Sequence, residues 1–295
     1  ASYVLEGLLD FLASGDPAAD ILLDSYVFYV IPVLNPDGVE LGHHRTDTRG
    51  ENLNRVYGKA TMEAHPSVVA AEAVCASAHK HQGGLRLYLD IHAHSSRRGG
   101  FLLGDAKSIR GQLASRLYAY TLARRSSLME YAQCNFTDSV AGTGKSGAVA
   151  KTGVQLCFTL EVHYSRGHHG CSPFGTSDYR EVGHTCLRAL LELDAFETPG
   201  QLPVGLAPLI SGDLLKDMRQ ASHWLEGDEK RGKLQPPGPS RARPYFAKVR
   251  GHEAGHRPSP ALLERMDLVG EIVELVERRE PQDGRGEMEP SLYRL

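Results

Sequence analysis

Apolar positions recur at helical spacing from the start of the chain: Tyr3, Leu5, Leu8, Leu9, Phe11 and Leu12. Residues 2–14 are therefore expected to form a helix. Val27 to Leu34 (VFYVIPVL) is apolar and β-branched, the pattern of a buried strand. Asn35-Pro36-Asp37-Gly38 ends it as a turn, with Pro presetting φ and Gly admitting φ > 0. His65-Pro66 opens a helix from Ser67 to about His81, carried by Val68, Ala71, Val74 and Cys75, and Gly83-Gly84 stops it. Leu85 to His92 alternates: Leu85, Leu87, Leu89 and Ile91 face one way, Arg86, Tyr88, Asp90 and His92 the other. A short strand follows at Phe101–Leu103, then a helix over 106–123. Residues 134–151 are Gly- and Thr-rich and read as a long loop. Val154 to Val162 alternates again, and residues 178–195 read as a helix.

Strands alternating with helices predict an α/β fold with a mixed, mostly parallel sheet flanked by helices. After about residue 198 the texture changes. Five prolines lie in residues 1–195 and 11 in residues 196–295. Residues 229–258 are basic, Pro/Gly-rich and without apolar periodicity, as expected of a disordered linker. Ser259-Pro260 then opens an expected helix to about Arg279, striped by Leu262, Leu263, Met266, Val269, Ile272, Val273 and Val276. The expected divisions are 1–198, 199–258 and 259–295.

Composition narrows the function. The 295 residues carry a formal charge of −3, which argues against a nucleic-acid or membrane-surface binder. No apolar run approaches the roughly 20 residues of a membrane span, and no leader opens the chain. The start at Ala1, without Met and directly in an amphipathic pattern, suggests a missing upstream segment. The cysteines are odd in number (five) and form no CxxC pair, so reduced thiols are expected rather than a zinc ribbon or disulfide framework.

Three places could carry chemistry. Alternation puts Asp90, His92 and His94 on one face at the end of a strand, a common construction for metal and active sites. Glu161 closes CFTLE, at the carboxyl edge where α/β sheets concentrate ligands, and a partly buried Glu there suits a general base. The loop from Asn35 through Arg45 to Asn54-Arg55 holds two arginines and an amide able to clamp a carboxylate. Each feature alone is also compatible with solvated surface residues.

Together they form a recognisable series. NPDGVELGHHRTDTRGENLNR resembles the metallocarboxypeptidase pattern NPDG(V/F)…R…G…(D/N)LNR. LYLDIHAHSSRRGGFLLG resembles that family's third zinc-ligand segment, and CFTLEVHY its catalytic-glutamate segment. The order is right, with 92 − 54 = 38 positions from Asn54 to His92 and 161 − 92 = 69 from His92 to Glu161. The wording is most similar to the cytosolic carboxypeptidases of branch-point deglutamylase type, over roughly residues 1–195.

The resemblance implies a zinc-carboxypeptidase-like fold, incomplete at its N-terminus, with a Pro-rich tail. It implies Zn2+ as cofactor and acidic polyglutamate tails, tubulin among them, as substrates, in a cytoplasmic and microtubule-associated protein. His92 matches the third zinc ligand. Glu161 matches the base that activates water and then protonates the leaving amine. Arg45 matches the arginine that polarises the scissile carbonyl. Asn54 and Arg55 match the pair that holds the terminal carboxylate, and Lys145 falls where a basic residue faces an acidic side chain. The other two zinc ligands come from an HxxE motif in this family, expected upstream of Ala1; His223-Trp224-Leu225-Glu226 is the HxxE of this chain and stands in the wrong order. The family's capping tyrosine is not found in the 134–153 loop; Tyr131 is a distant candidate, and Tyr164 and the pair His168-His169, after Glu161, could approach the mouth of the site. Alternative readings are a metal-free module that binds carboxylate tails and a related zinc amidohydrolase.

Overall fold

The structure, a computed structural model, describes residues 1–167 and 173–197. The expected linker at 229–258 and helix at 259–279 lie outside the described residues, as do His168, His169, Cys171 and His223–Glu226.

The elements in chain order are α1 (Ser2–Leu12), α2 (Pro17–Ser25), α3 (Pro36–Glu40), α4 (Pro66–Lys80), β1 (Leu87–His94), β2 (Gly100–Gly104), α5 (Ile109–Arg125), α6 (Gly144–Thr152), β3 (Leu156–His163) and α7 (Thr176–Glu197). Short 3₁₀ turns sit at Leu53–Arg55 and Tyr131–Gln133. The strand order is β1-β3-β2, with β1 parallel and β2 antiparallel to β3. The sheet is thus mixed, as its pattern predicts.

Strand β3 is buried on both faces, and neighbouring residues show what covers each. Phe158 stacks on Tyr118 of α5, with ring centroids 5.2 Å apart. Cys157, pointing the opposite way, packs with Ala148 of α6 and Tyr88 of β1. Helices therefore lie on both faces of β3. By the same parity Thr159 and Glu161 share the α6 face with Tyr88, Asp90 and His92. The 22-residue α7 packs on α5 and α1. At its crossing with α1 the two backbones nearly touch: a Cβ on Gly7 would intrude on the Arg180 backbone, and one on Gly183 on the Val4 carbonyl.

Three expectations are corrected. Val27–Leu34 pairs with no strand among the described residues, and Val27 and Val33 are 66 % and 47 % exposed. An apolar run becomes a strand only where a partner edge satisfies its backbone. This segment is held instead by side chains: the Tyr26 hydroxyl bonds Asp194, and that of Tyr29 lies 2.6 Å from His81 Nε2. Asn35-Pro36-Asp37-Gly38 starts the one-turn α3 rather than a turn with φ > 0 at Gly38. Asn35 caps it, accepting from the Gly38 amide at 3.1 Å. The 134–151 loop contains α6, begun by a capping box in which Thr143 and Ser146 bond each other's backbone amides. Helix α2 was not anticipated; Asp16 accepts the Ala18 amide at its start.

Candidate active site

His92 and Glu161 are direct partners in the β1–β3 register, and Asp90 pairs with Thr159 one pleat away. Parallel pairing thus puts the imidazole and the carboxylate side by side at the carboxyl ends of both strands. The Nδ1 of His92 lies 3.8 Å from Glu161 Oε1, and its Nε2 lies 3.1 Å from Asp90 Oδ1. Each ring nitrogen therefore faces a different carboxylate.

The electrostatics follow from this packing. Burial pushes the Glu161 carboxyl above its usual range; the charge of Asp90 adds to the rise, while His92, Arg45 and Arg97 oppose it. Burial alone would lower His92, but the hydrogen bond and charge of Asp90, with the charge of Glu161, raise it. Glu161 Oε2 is buried with no hydrogen-bond partner in the structure. A buried carboxylate oxygen left so calls for an explanation, and a catalytic role is one.

Arg45 is exposed on the loop after α3, close enough to act electrostatically on both His92 and Glu161. Asn54 lies in the Leu53–Arg55 turn, where its Oδ1 accepts the Gly144 amide at 2.8 Å. That bond leaves the Nδ2 end as the donor. Arg55 is exposed and donates to the Asn54 carbonyl at 2.6 Å. The structure therefore brings His92 and Glu161 together, with the Arg45 charge acting on both, and ties Asn54 to the start of α6.

Lys145 departs from expectation. Rather than facing an acidic substrate side chain, it is 1 % exposed, and its Nζ donates to the Asp138 carbonyl and carboxylate, both at 2.6 Å. A buried ammonium needs such a partner, and Asp138 lies in the loop leading into the same helix. Lys151 is likewise paired, with Glu72 at 3.4 Å. Arg97 lies over the Phe101 ring, 4.9 Å from its centroid.

His94 does not join His92. Its Nδ1 accepts the Ser96 and Arg97 amides, at 3.1 and 3.2 Å, so it caps the loop after β1. His163, its register partner, does the same for the loop after β3, accepting the Ser165 and Arg166 amides. Among the tyrosine candidates, Tyr131 packs against Tyr120 and Phe136, whereas Tyr164 is exposed.

Sequence reasoning missed Gly144, Tyr57 and Tyr88. A Cβ at Gly144 would collide with the Tyr88 hydroxyl and sit 3.2 Å from Asp90 Oδ2 and 3.3 Å from Tyr57 Cζ. The one sequence signal was Tyr88, on the Asp90–His92 face two positions before Asp90.

Residues 1–99 match the family model for zinc carboxypeptidase. Cytosolic carboxypeptidase 6 of Caenorhabditis elegans is 34% identical over 208 residues, covering 65% of this chain and 45% of that protein. Cytosolic carboxypeptidase 4 of Mus musculus is 29% identical over 247 residues, 77% of this chain and 22% of that protein. The chain thus spans less than half the length of these relatives. Among solved structures, a metallo-carboxypeptidase from Burkholderia cenocepacia superposes with a TM-score of 0.58 at 22% identity, over 65% of this chain and 53% of that one. One from Pseudomonas aeruginosa, in complex with (2-guanidinoethylmercapto)succinic acid, gives 0.56 at 21%, over 65% and 52%. At these identities the two structures speak for the fold.

Zinc is the cofactor of this family. A catalytic zinc takes three protein donors. Among the described residues no group of three or more His, Cys, Asp or Glu side chains could hold a metal ion. The described residues therefore do not amount to a zinc shell. The family model over residues 1–99 and the cytosolic relatives make the chain similar to zinc carboxypeptidases, and the solved structures share its fold.

Proposed function

We propose that this chain is part of a cytoplasmic metallocarboxypeptidase that removes glutamates from polyglutamylated proteins such as tubulin. The observation that carries the reading is the meeting of His92 and Glu161 at one end of the β1–β3 ladder, within the field of Arg45 and with the Glu161 Oε2 buried and unbonded. In this reading Glu161 takes the proton of the attacking water and delivers it to the leaving amine. Its raised pKa suits both halves of that task. Arg45 stabilises the developing oxyanion, where a fixed positive charge contributes most. Arg55 and the donor end of Asn54 hold the terminal carboxylate. Only a free chain end presents that carboxylate, which accounts for an exopeptidase. His92 would serve as a zinc ligand. The cytosolic names of the relatives, and the lack among the described residues of a helix long and apolar enough to cross a membrane, support the compartment.

The test is release of glutamate from polyglutamylated tubulin by the full-length protein, wild type against Glu161→Gln, with and without chelator. Release that needs both Glu161 and a chelatable metal is expected. Release that survives both treatments rejects the assignment.

The exposure of Arg45 and Arg55 also supports a second reading, a module that grips carboxylate tails without cutting them. Arg45, Asn54 and Arg55 would serve it unchanged. Polyglutamate binding that persists in chelator, with no glutamate released by the full-length protein, would select it.

A further inference from the structure

His92 is held from two sides, and the side away from Glu161 is the better built. Asp90 and His92 share a face of β1, with Asp90 Oδ1 3.1 Å from the ring Nε2. The remaining oxygen, Oδ2, sits over the Gly144 Cα among the Tyr88 hydroxyl and the Tyr57 ring, where a Cβ has no room. Gly144 is itself fixed, because its amide donates to Asn54 Oδ1 at 2.8 Å. The Tyr57 amide in turn donates to the Gly142 carbonyl at 3.1 Å. Three separate pieces of chain, the 54–57 turn, the start of α6 and strand β1, therefore close on one carboxylate. Burial and the nearby Asp90 charge both push the Tyr57 and Tyr88 hydroxyls up, so these phenols stay neutral beside the acid.

We infer that Asp90 is a positioning residue for His92: its carboxylate accepts the ring Nε2–H, fixes the plane of the imidazole, and leaves Nδ1 as the bare nitrogen on the Glu161 side. The Asn54–Gly144 contact is the floor that keeps Asp90 in place. A carboxylate that engages one ring nitrogen sets the tautomer and raises the basicity of the other. A solvated carboxylate with no such task would not need a glycine beneath it and two buried tyrosines beside it. The inference rests on the reading of His92 and Glu161 as parts of one site.

The experiment is 1H–15N NMR of the ring nitrogens in the labelled full chain, above the imidazole titration range. His92 is expected to show a slowly exchanging Nε2–H, identified by its loss in His92→Gln. Asp90→Ala should abolish that protection, and Asp90→Asn, which keeps a carbonyl acceptor, should retain it. His163 is an internal control: its Nε2 lies 3.1 Å from the Ser95 carbonyl, so its ring proton should persist in every folded variant. A His92 proton that stays protected in Asp90→Ala, or is unprotected in the wild type while that of His163 is visible, overturns the inference. With glutamate release as a second readout, Asp90→Ala should lower kcat about 10–100-fold and Asp90→Asn recover part of it. The ring measurement needs no turnover. A protected His92 proton with hydrolysis indifferent to Glu161 would therefore sink the proposed activity and leave the Asp90 contact standing.

Discussion

His92 and Glu161 sit opposite one another in a parallel ladder, with Nδ1 of one 3.8 Å from Oε1 of the other. Their spacing is fixed by backbone hydrogen bonds of both strands, not by loop geometry. Shortening or neutralising the carboxylate should therefore leave the fold intact and act on chemistry alone. Glu161→Gln is expected to lower kcat for glutamate release by about 10²–10⁴-fold, the usual range for a lost general base. Circular dichroism and the urea midpoint should match the wild type.

Gly144→Ala tests the floor beneath Asp90. The added methyl collides with the Tyr88 hydroxyl, which β1 holds in place. A loss of about 1–3 kcal/mol in urea unfolding is expected, as for an overpacked core. Gly175→Ala is the matched control. Its Cβ would meet nothing closer than the Asp178 carboxylate at 3.6 Å, and its effect should stay within about 0.5 kcal/mol.

Lys145→Met separates structure from recognition. Removing the ammonium leaves Asp138 without its partner. The cost should be about 3 kcal/mol, at the low end for a buried pair because Asp138 is 27 % exposed. The Lys145→Met/Asp138→Asn double variant should recover part of that loss. A change in preference between glutamate and neutral side chains, with stability untouched, would instead return Lys145 to the substrate pocket.

Asp16 gives a pH signature. The Ala18 amide, then the Arg188 guanidinium, hold its carboxyl below the usual range despite some opposing desolvation. A lowered pKa in the folded state means stability that is present above the ordinary carboxylate pKa. It is lost as pH falls through the lowered value. Asp16→Ala should therefore be less stable than wild type at neutral pH, with the gap closing in acid. Paired thermal melts at several pH values check it.

The sequence pattern was most informative where apolar and polar residues alternate along a strand. Leu87–His94 and Leu156–His163 alternate cleanly, so the faces of Asp90, His92 and Glu161 were legible before any coordinates. Val27–Leu34 misled because apolarity reports a tendency to be covered, while a ladder also needs a neighbour with free amides and carbonyls. Helix α6 was hidden by two glycines in Gly144-Lys145-Ser146-Gly147, residues of poor helix propensity that tertiary packing overrides. Gly147 is there because Tyr57 lies against it, with a Cβ meeting that ring at 3.0 Å. The pairing of Lys145 with Asp138, seven positions back, is not legible in a stretch whose Gly- and Thr-rich composition predicts a loop.

The uncovered run at 27–33 also has a consequence for handling the protein. Its Val, Tyr and Ile side chains stand in water, and the outer edge of β1 carries backbone groups that no strand among the described residues takes up. Extended apolar chain and an open sheet edge are each a template for pairing between molecules. Pro32 interrupts the run, as residues that limit such stacking often do. Association between molecules is therefore expected to rise with concentration. A charge placed at Val33, well exposed and remote from Glu161 in sequence, is the substitution to try first for keeping it monomeric.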